Sequence, residues 1–513
     1  MRSSSTALRV TFSALATSFM LVVGASAQMA PEAAAPRPKP APSMRAASCH
    51  NGQSFDRFLA ELKQRAVAEG VSQRAIAAAS PYLTYDQGIV NRDRGQRVFG
   101  QLFTEFAGRM AAVYRMQNGQ QHIKMHAAAF ARAEKDYGVP PAVIAAFWGL
   151  ESDFGANMGN LPVLPSLVSL AYDCRRSERF QNETIAALKV IDRGDLSPTE
   201  MIGSWAGELG QTQFLPTHYV TYAVDYDGDG RRDLLRSAPD VIGSTANYIA
   251  TGLKWRRGEP WLEEIRVPPT FPWEQADLTV KAPRSKWIGL GVTYADGRPL
   301  PNDALEASVL LPMGRNGPAF LAYANFAAYT EWNNSLIYST TAAYLATRIA
   351  GAAPMRKASG PVAQLPFNEI KELQQLLVKA GFDVGKVDGV LGQQSRIAVK
   401  TMQLRLGLPA DSWPTESCWR GCAATRRALR PRRRRPLPRA DHPRPKDNGN
   451  ASRYRQTLPG QVRTTEAGAR TGPHRSGDTH AQFRRRLGLG RHRRCHPERV
   501  DGKSVQARHH RQG

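Results

Sequence analysis

Apolar residues recur at steps of three and four between residues 55 and 349, which is the spacing of amphipathic helices. Phe58, Leu62 and Val67 mark the first of these helices, and Gly70 ends it. The same spacing predicts further helices over residues 98–106, 123–137, 141–150, 240–253 and 335–349. The pattern therefore indicates a mainly α-helical fold.

Two segments depart from this helical pattern. Ser197-Pro198-Thr199-Glu200 has the capping-box pattern with proline at the first helical position, which predicts that a helix begins there. Residues 256–320 contain many Pro and Gly residues with short apolar runs, which predicts loops with a small β element. We therefore expect one mainly α domain over residues 49–350 that carries a small β or loop insertion.

Residues 367–417 form a second, smaller unit behind a linker at 351–366. Apolar spacing predicts one helix over residues 370–377 and another over 397–406. A third helix should begin near Thr415, but its apolar period stops at once, so we expect it to be truncated. About 50 residues is small for an autonomous fold. The unit should therefore be a compact helical binding module.

Positive charge is concentrated at the end of the chain. The formal net charge is +25, and residues 420–513 carry +20 of it, with 26 Lys and Arg against 6 Asp and Glu. The disordered basic tail over 418–513 has three interpretations: a cationic arm for nucleic acid or another anionic polymer, a segment without function, or out-of-frame translation. Because the module stops within a helix, we favour a frame change near codons 412–420.

The N-terminus has the pattern of a secretory signal peptide over residues 1–27. Arg2 and Arg9 form a basic n-region. The apolar stretch from Val10 to Val23 is too short to span a bilayer, and Ala25-Ser26-Ala27 suits cleavage. Gln28, and not a cysteine, directly follows the cleavage site, so we expect no lipid anchor and no stable membrane anchor. An Ala- and Pro-rich linker at 28–48 comes next. The pattern predicts a periplasmic protein.

Export permits disulfides, and Cys49 and Cys174 are the two cysteines of the main body. They either pair with each other or remain as two free buried thiols.

Glu151 is the first candidate for chemistry. It shares one helix face with Ile144, Phe147 and Trp148. Burial on an apolar face and the negative end of a helix both raise the pKa of a carboxyl group, so Glu151 could act as a general acid near neutral pH. The other interpretation is a surface glutamate at the helix end, or one paired to a buried arginine.

The run from Ser204 to Pro216 combines small residues with amides. This composition suits close approach and hydrogen bonding to a ligand, or equally a tight helix–helix contact.

Asp225, Asp227 and Asp229, followed by Gly230, match the first half of an EF-hand loop. Arg236 stands at position twelve instead of the bidentate glutamate, and Asp240 lies just beyond. We expect either a weak structural Ca²⁺ site that uses these acids or a metal-free acidic turn.

Aromatic residues and amides cluster late in the domain. Tyr329, Trp332, Asn333, Asn334 and Tyr338 suit sugar recognition, because rings stack on pyranose faces while amides bind hydroxyl and acetamido groups. The same residues could instead form an aromatic stripe in the core.

In combination, these segments resemble the membrane-bound type B lytic murein transglycosylases, whose catalytic domain is similar to goose-type lysozyme. The resemblance rests on Gly149-Leu150-Glu151-Ser152-Asp153-Phe154-Gly155, the Ser204–Pro216 run, the acidic loop at 225–230, and Trp332-Asn333 with Tyr338. It implies a lysozyme-like helical domain with Glu151 as catalytic acid and base. The residues that it implies for the sugar subsites are Ser204, Gln213, Tyr248, Trp332, Asn333 and Tyr338. It also implies that Arg175 and Arg176 meet peptide carboxylates.

Residues 367–417 resemble a type 1 peptidoglycan-binding module, through Leu373-Gln374, Val387-Asp388-Gly389 and Gln403. The expected function is cleavage of the bond between N-acetylmuramic acid and N-acetylglucosamine with formation of a 1,6-anhydro ring, without a required cofactor. A muramidase and a non-catalytic peptidoglycan-binding protein stay open as alternatives. Glycan strands are the expected partners, with wall-remodelling proteins of the same compartment as candidates. Nucleic acid is not expected because of the signal peptide.

Overall fold

The computed structural model describes residues 49–50, 52–95 and 101–428. The predicted signal peptide, the linker at 28–48 and the tail beyond residue 428 lie outside these residues. Among the described helices, none combines the length and the apolarity needed to cross a bilayer.

In the part that corresponds to the expected main domain, the helices are α1 Phe55–Ala68, α2 Gln73–Ala79, α3 Gln87–Arg94, α4 Phe103–Met110, α5 Val113–Met125, α6 Ala127–Tyr137, α7 Pro141–Ser152, α8 Val163–Tyr172, α9 Ser177–Asp192, α10 Pro216–Tyr222, α11 Ala238–Asn247, α12 Arg284–Gly289, α13 Phe326–Trp332 and α14 Leu336–Ile349.

Helix α7 lies at the centre of this domain. Nearly all of its residues are apolar, and those from Ala142 to Leu150 are all buried. Pro141 occupies its first turn, where no backbone N–H is needed. Helices α5 and α14 pack against it. A helix that is apolar on every face belongs in a core. Glu151, near the C-terminal end of α7, is only half-buried and so lies at the edge of that core.

Two helix predictions need correction. Residues 123–137 are divided between α5 and α6, because the backbone leaves the helical conformation at His126. Ser197–Glu200 begins no helix: the Ser197 amide donates to the Glu200 carboxylate, but a turn follows. The next residues instead form strand β2, Ile202–Gly203, which pairs with β1, Leu161–Pro162. The backbone here forms hydrogen bonds between strands, in place of the hydrogen bonds within a helix that the sequence pattern predicts.

The expected small β element is a five-stranded antiparallel sheet. Its strands are β3 Leu262–Arg266, β4 Ala282–Pro283, β5 Thr293–Tyr294, β6 Glu306–Leu310 and β7 Ala319–Tyr323, and their order is β4-β6-β7-β3-β5. Val309 pairs with Leu321 at the centre. Both residues are buried, together with Trp287, in a core of their own.

The small module consists of three helices, α15 Phe367–Lys379, α16 Gln393–Arg405 and α17 Glu416–Ala428. The predicted truncation after residue 417 is therefore wrong. Cys418 and Cys422 are buried in the module core with Leu373 and Val399. Trp419 and Ala423 of the third helix pack against the same core. The frame change near codons 412–420 stays a prediction.

The module packs against the sheet insertion through buried charges. Lys400 lies 2.7 Å from Asp277, and Arg315 lies 3.0 Å from Asp411. The Arg396 guanidinium donates to backbone carbonyls of the insertion. These contacts hold the module and the insertion together.

A disulfide joins Cys49 to Cys174, with Cα atoms 5.7 Å apart. The open question of two free thiols is thereby resolved in favour of the bridge. It ties the chain before α1 to the segment between α8 and α9.

Candidate active site

The end of α7 places Glu151 at the surface of the core. After Ser152 the chain turns through two residues with positive φ, Asp153 at 54° and Phe154 at 60°. The Asp153 carboxylate accepts hydrogen bonds from Arg115 Nε at 3.2 Å and the Tyr114 hydroxyl at 3.3 Å. This ion pair fixes the turn and with it the direction of the Glu151 side chain.

Two donors from the far end of the domain reach one oxygen of Glu151. Trp332 Nε1 donates to Oε1 at 2.8 Å, and the Tyr338 hydroxyl donates to the same atom. The indole ring of Trp332 stacks on Phe147, one turn before Glu151, with ring centroids 4.1 Å apart. Trp332 and Tyr338, which the resemblance places in the sugar subsites, therefore contact Glu151 directly, whereas Tyr329 is fully buried in the core.

Burial raises the pKa of Glu151 to about 7, although the hydrogen bonds from Tyr338 and Trp332 work to lower it. The nearby Glu208 carboxylate adds to the rise. Burial, and then the charge of Glu151, raise the pKa of Tyr338 well above its ordinary value, so Tyr338 keeps its proton and stays a donor. Because both donors serve Oε1, the acid proton of Glu151 belongs on Oε2. The group can give up and take back a proton near neutral pH.

The Ser204–Pro216 run forms a tight hairpin whose backbone folds on itself. Isolated bridges join Leu209 to Gly203 and to Phe214. A Cβ at Gly203 would lie 2.1 Å from the backbone oxygen of Glu208, so only glycine fits there. This position supports the tight-contact interpretation of the small residues. The hairpin also packs on α7, since Trp148 Nε1 donates to Gln211 Oε1 at 2.8 Å.

Several predicted sugar-binding residues form hydrogen bonds within the protein. Ser204 Oγ donates to the Glu208 carboxylate. Gln213 has a φ of 51°, and its amide nitrogen donates to the backbone oxygens of Met158 and Gly210. Asn333 Oδ1 accepts from the Ser335 amide at 2.9 Å. Their polar atoms therefore serve the fold in this structure.

Tyr248 belongs to an aromatic cluster beside Trp332, with ring centroids 5.2 Å apart. His218 and Tyr222 of α10 and Phe214 complete the cluster. His218 and Tyr222 stand in no sequence motif, although their four-residue spacing puts them on one face of α10.

Arg175 and Arg176 are bound to Asp93, a carboxylate that is only 2% exposed. Arg175 Nε donates to Asp93 Oδ2 at 2.6 Å. The structure thus gives this basic pair a local partner on α3 that the sequence analysis did not anticipate.

The acidic loop gathers three carboxylates as the motif predicts. One oxygen from each of Asp225, Asp227 and Asp229 lies within 4.8 Å of the others. Asp240 is fully buried and accepts from the backbone amides of Tyr226 and Asp233 at 2.6 and 2.7 Å. Asp240 therefore shapes the loop from behind, and the three exposed aspartates form the candidate metal ligands.

Comparisons with known proteins identify two domains in the chain. The transglycosylase SLT domain model matches residues 54–347, and a peptidoglycan binding domain model matches residues 368–420. The chain is 31% identical to membrane-bound lytic murein transglycosylase B of Escherichia coli (strain K12) over 226 residues, which is 44% of this chain and 61% of that relative. The match thus spans less than two thirds of the curated relative.

Solved structures show the same architecture. SltB3 from Pseudomonas aeruginosa, in complex with NAG-anhNAM-pentapeptide, is 38% identical with a TM-score of 0.67, over 72% of this chain and 100% of that chain. Soluble lytic transglycosylase SltB1 from Pseudomonas aeruginosa is 26% identical with a TM-score of 0.50, over 58% of this chain and 98% of that chain. Because the first model covers more than half of the sequence, the chain belongs to the transglycosylase SLT domain family.

Proposed function

We propose that this protein is a lytic transglycosylase that cleaves the β-1,4 bond between N-acetylmuramic acid and N-acetylglucosamine in peptidoglycan and leaves a 1,6-anhydro-muramoyl end. The observation that carries the proposal is Glu151, a carboxyl group with a pKa of about 7 whose Oε1 holds two donors and whose Oε2 remains for the substrate. One carboxyl group of this kind can serve both as acid and as base.

The reaction would proceed in two steps. Glu151 Oε2 gives its proton to the glycosidic oxygen as the C1–O bond breaks, and the new carboxylate is stabilised by Trp332 and Tyr338. The carboxylate then takes the proton from the muramoyl O6 hydroxyl, while O6 bonds to C1 and closes the anhydro ring. Glu151 returns to its acid form, so the cycle needs no water and no second acid.

The position of Asp153 favours this route over hydrolysis. Most glycoside hydrolases use a second carboxylate to activate water or attack C1. Asp153 is the carboxylate nearest to Glu151 in sequence, and it is bound by Arg115 and Tyr114. These two partners hold the Asp153 carboxylate in the turn after α7, so its position serves the fold. The muramidase alternative would therefore depend on Glu208.

The small module fits the same substrate. Its match to a peptidoglycan binding domain supports binding of the wall polymer beside the catalytic domain. The solved SltB3 structures, in complex with NAG-anhNAM-pentapeptide and with NAG-NAM-pentapeptide, support peptidoglycan glycan strands as the ligand. We place the protein in the periplasm, on the basis of the signal-peptide pattern and the disulfide.

A weak structural Ca²⁺ is part of the proposal. Asp225, Asp227 and Asp229 offer the hard oxygen ligands that Ca²⁺ prefers, and three like charges within 4.8 Å repel each other without a cation. The arrangement supports a role in holding the loop and none in the chemistry.

Digestion of purified murein tests the reaction. Wild-type protein should release anhydro-muropeptides, identified by mass spectrometry, and Glu151→Gln should lower the rate by about 10²–10⁴-fold. Glu178→Gln, which removes an exposed carboxylate of α9, is the matched control and should keep full activity. Products with reducing ends would identify a muramidase instead. Activity of Glu151→Gln within threefold of wild type would remove the catalytic assignment, and murein binding without cleavage by wild type would indicate a binding protein.

A further inference from the structure

Gln211 connects the helix that carries Glu151 with another part of the core. It belongs to the Ser204–Pro216 hairpin, at a position that the resemblance does not assign to the sugar subsites. The residue is only 9% exposed, and its hydrogen bonds reach in two directions. One set goes to the last turn of α7, and the other goes to the segment that leads into α11.

The last turn of α7 is bound to Gln211 on both sides of Glu151. Three residues before Glu151, Trp148 Nε1 donates to Gln211 Oε1 at 2.8 Å. Directly after Glu151, the Ser152 hydroxyl donates to the Gln211 backbone oxygen at 2.5 Å. Trp148 and Ser152 are at most 2% exposed, and a hydrogen bond shielded from water is electrostatically stronger than an exposed one. The turn that carries Glu151 is therefore held firmly against the hairpin.

The other hydrogen bonds of Gln211 go to backbone atoms. Its Nε2 donates to the Leu235 backbone oxygen at 2.9 Å, and its own amide donates to the Leu234 oxygen at 2.8 Å. This segment is itself fixed, because the buried Asp240 carboxylate of α11 accepts from the Asp233 amide at 2.7 Å. Gln211 is therefore a link between the start of α11 and the end of α7.

The turn after α7 closes around the Gln211 side chain. The Gly155 amide donates to Ser152 Oγ at 2.8 Å, and Gly155 has a φ of 90°. A Cβ at Gly155 would lie 2.6 Å from Gln211 Oε1, so only glycine lets the chain pass this close. The course of the turn and the position of Gln211 therefore depend on each other.

We propose that Gln211 is a positioning residue for Glu151. Its hydrogen bonds to Trp148 and Ser152 hold the turn so that Glu151 Oε1 meets its two donors and Oε2 faces the glycosidic oxygen. The inference rests on the proposed function and adds to it a residue that touches no substrate. Misplacing a reacting group by about 1 Å can cost about 10²-fold in rate. Gln211 should therefore affect the chemical step and leave substrate binding unchanged.

Gln211→Met is the direct test, because methionine has a similar length and lacks the amide. On a tetrasaccharide of two N-acetylglucosaminyl-N-acetylmuramoyl units, kcat should fall by about 10- to 100-fold while KM stays within about threefold. Isothermal titration in the Glu151→Gln background should show equal affinity with and without Gln211→Met. The control is Gln181→Met, which also removes two side-chain hydrogen bonds of a half-buried glutamine and should keep kcat. A kcat of Gln211→Met within threefold of wild type, or a loss confined to KM, would overturn the proposal.

The partners of Gln211 give a second test. Trp148→Phe removes one donor, so it should lower kcat, and the double variant with Gln211→Met should be no slower than the slower single variant. Ser152→Ala removes the other donor and leaves a smaller gap in the core, so it tests the link even if Trp148→Phe does not fold. Losses that add fully in the double variant would overturn the proposal, as would a wild-type kcat in Ser152→Ala.

A pH profile separates positioning from a loss of stability. A loosely held Glu151 makes weaker hydrogen bonds with Trp332 and Tyr338, and these bonds work to lower its pKa. The alkaline limb of kcat/KM should therefore move to higher pH in Gln211→Met. Tyr338 and Glu208, the titratable groups that act on Glu151, are unchanged in this variant.

An unstable variant would instead lose active molecules without moving the limb, so a limb that stays in place would contradict the proposal. Thermal unfolding identifies the variants that are folded at the assay temperature. Failure of the proposed function is a separate result, since it would appear as reducing ends in the wild-type products or as activity of Glu151→Gln.

Discussion

At the scale of single residues, the donors on Glu151 Oε1 determine how easily this group ionises. Trp332→Phe removes one donor and keeps an aromatic ring on Phe147. The lost hydrogen bond favoured the anion, so the pKa of Glu151 should rise above about 7. Because the acid must be protonated to start the reaction, the alkaline limb of kcat/KM should move to higher pH. Activity at the optimum should fall about tenfold, since the carboxylate intermediate is less stabilised.

The control for this variant is Trp273→Phe, which shortens a half-buried tryptophan of the sheet insertion. It should leave the pH profile unchanged. Glu208→Gln removes a negative charge that adds to the raised pKa of Glu151, so it should move the alkaline limb to lower pH, opposite to Trp332→Phe. Shifts in the same direction would contradict the electrostatic account of both residues.

The sequence predicts Glu151 but not its partners. An apolar helix face is a local signal, and it correctly indicated a buried carboxyl group with a raised pKa. The donors are 181 and 187 residues away, so their contact depends on how α13 and α14 pack against α7. Ser204 shows the same limit: its motif was recognised, but the bond to Glu208 was visible only in the folded hairpin.

At the scale of elements, the acidic loop should respond to Ca²⁺. Three carboxylates gathered within 4.8 Å should bind the ion weakly, so 10 mM CaCl₂ would stabilise the fold by about 1–2 kcal/mol if Kd is about 1 mM. Differential scanning calorimetry with CaCl₂ and with a chelator measures the shift. Asp229→Asn should abolish it and Asp296→Asn, a surface variant, should keep it. Equal melting temperatures for wild type in both buffers would remove the metal site.

The burial of the third helix of the module, α17, can be tested by substitution. Cys418 is fully buried, so Cys418→Asp puts a carboxylate into an apolar core and should destabilise the module by about 2 kcal/mol or more. Arg420→Ala, on the exposed face of the same helix, should change stability by less than about 0.5 kcal/mol. Thermal unfolding and pelleting with insoluble murein report the outcome. If α17 does not belong to the core, the two variants will behave alike.

Helices were predicted well where large aliphatic and aromatic residues form the buried face, and less well where other residues do. Helix α14 begins after Ser335, as expected from its pattern. Helix α17 begins near Thr415 as predicted, but it is longer than expected, because its buried residues are two cysteines. Free cysteine behaves as a small apolar residue, and among charged residues it gives a weak helical signal. The turn at Ser197–Glu200 was read as a helix start because a capping hydrogen bond is local, whereas the strand pairing that follows it is not.

At the scale of the whole molecule, composition and period predicted a mainly α protein with a helical module, and the structure agrees. The extent of the sheet was underestimated, since β6 after Glu306 and all of β7 are buried on both faces and their burial does not alternate. How the module packs on that sheet was beyond sequence reasoning, because Lys400 and Asp277 lie 123 residues apart and neither stands in a motif.

The Lys400–Asp277 pair should be the electrostatic link between module and insertion. Burial works to raise the pKa of Asp277, but the hydrogen bonds from Lys400 and Thr279 outweigh it and lower the pKa below its ordinary value. The pair therefore stabilises the fold above the unfolded pKa of an aspartate, and this stability is lost as pH falls through the lower, folded value. Removing one partner leaves the other charge buried at 8–9% exposure.

Asp277→Asn and Lys400→Met should each lower the free energy of unfolding by about 3–5 kcal/mol at neutral pH, since each leaves a buried charge without its partner. The double variant leaves no buried charge and should be more stable than either single variant. The exposed pair of Arg298 and Asp296 is the matched control, and Asp296→Asn should cost about 0.5 kcal/mol or less. Urea unfolding of all variants at pH 7 gives their free energies of unfolding, and from these the interaction free energy of the pair. Additive losses in the double variant would mean that the two side chains do not interact. The link between module and insertion would then rest on the Arg315–Asp411 pair and on Arg396 and its carbonyl contacts.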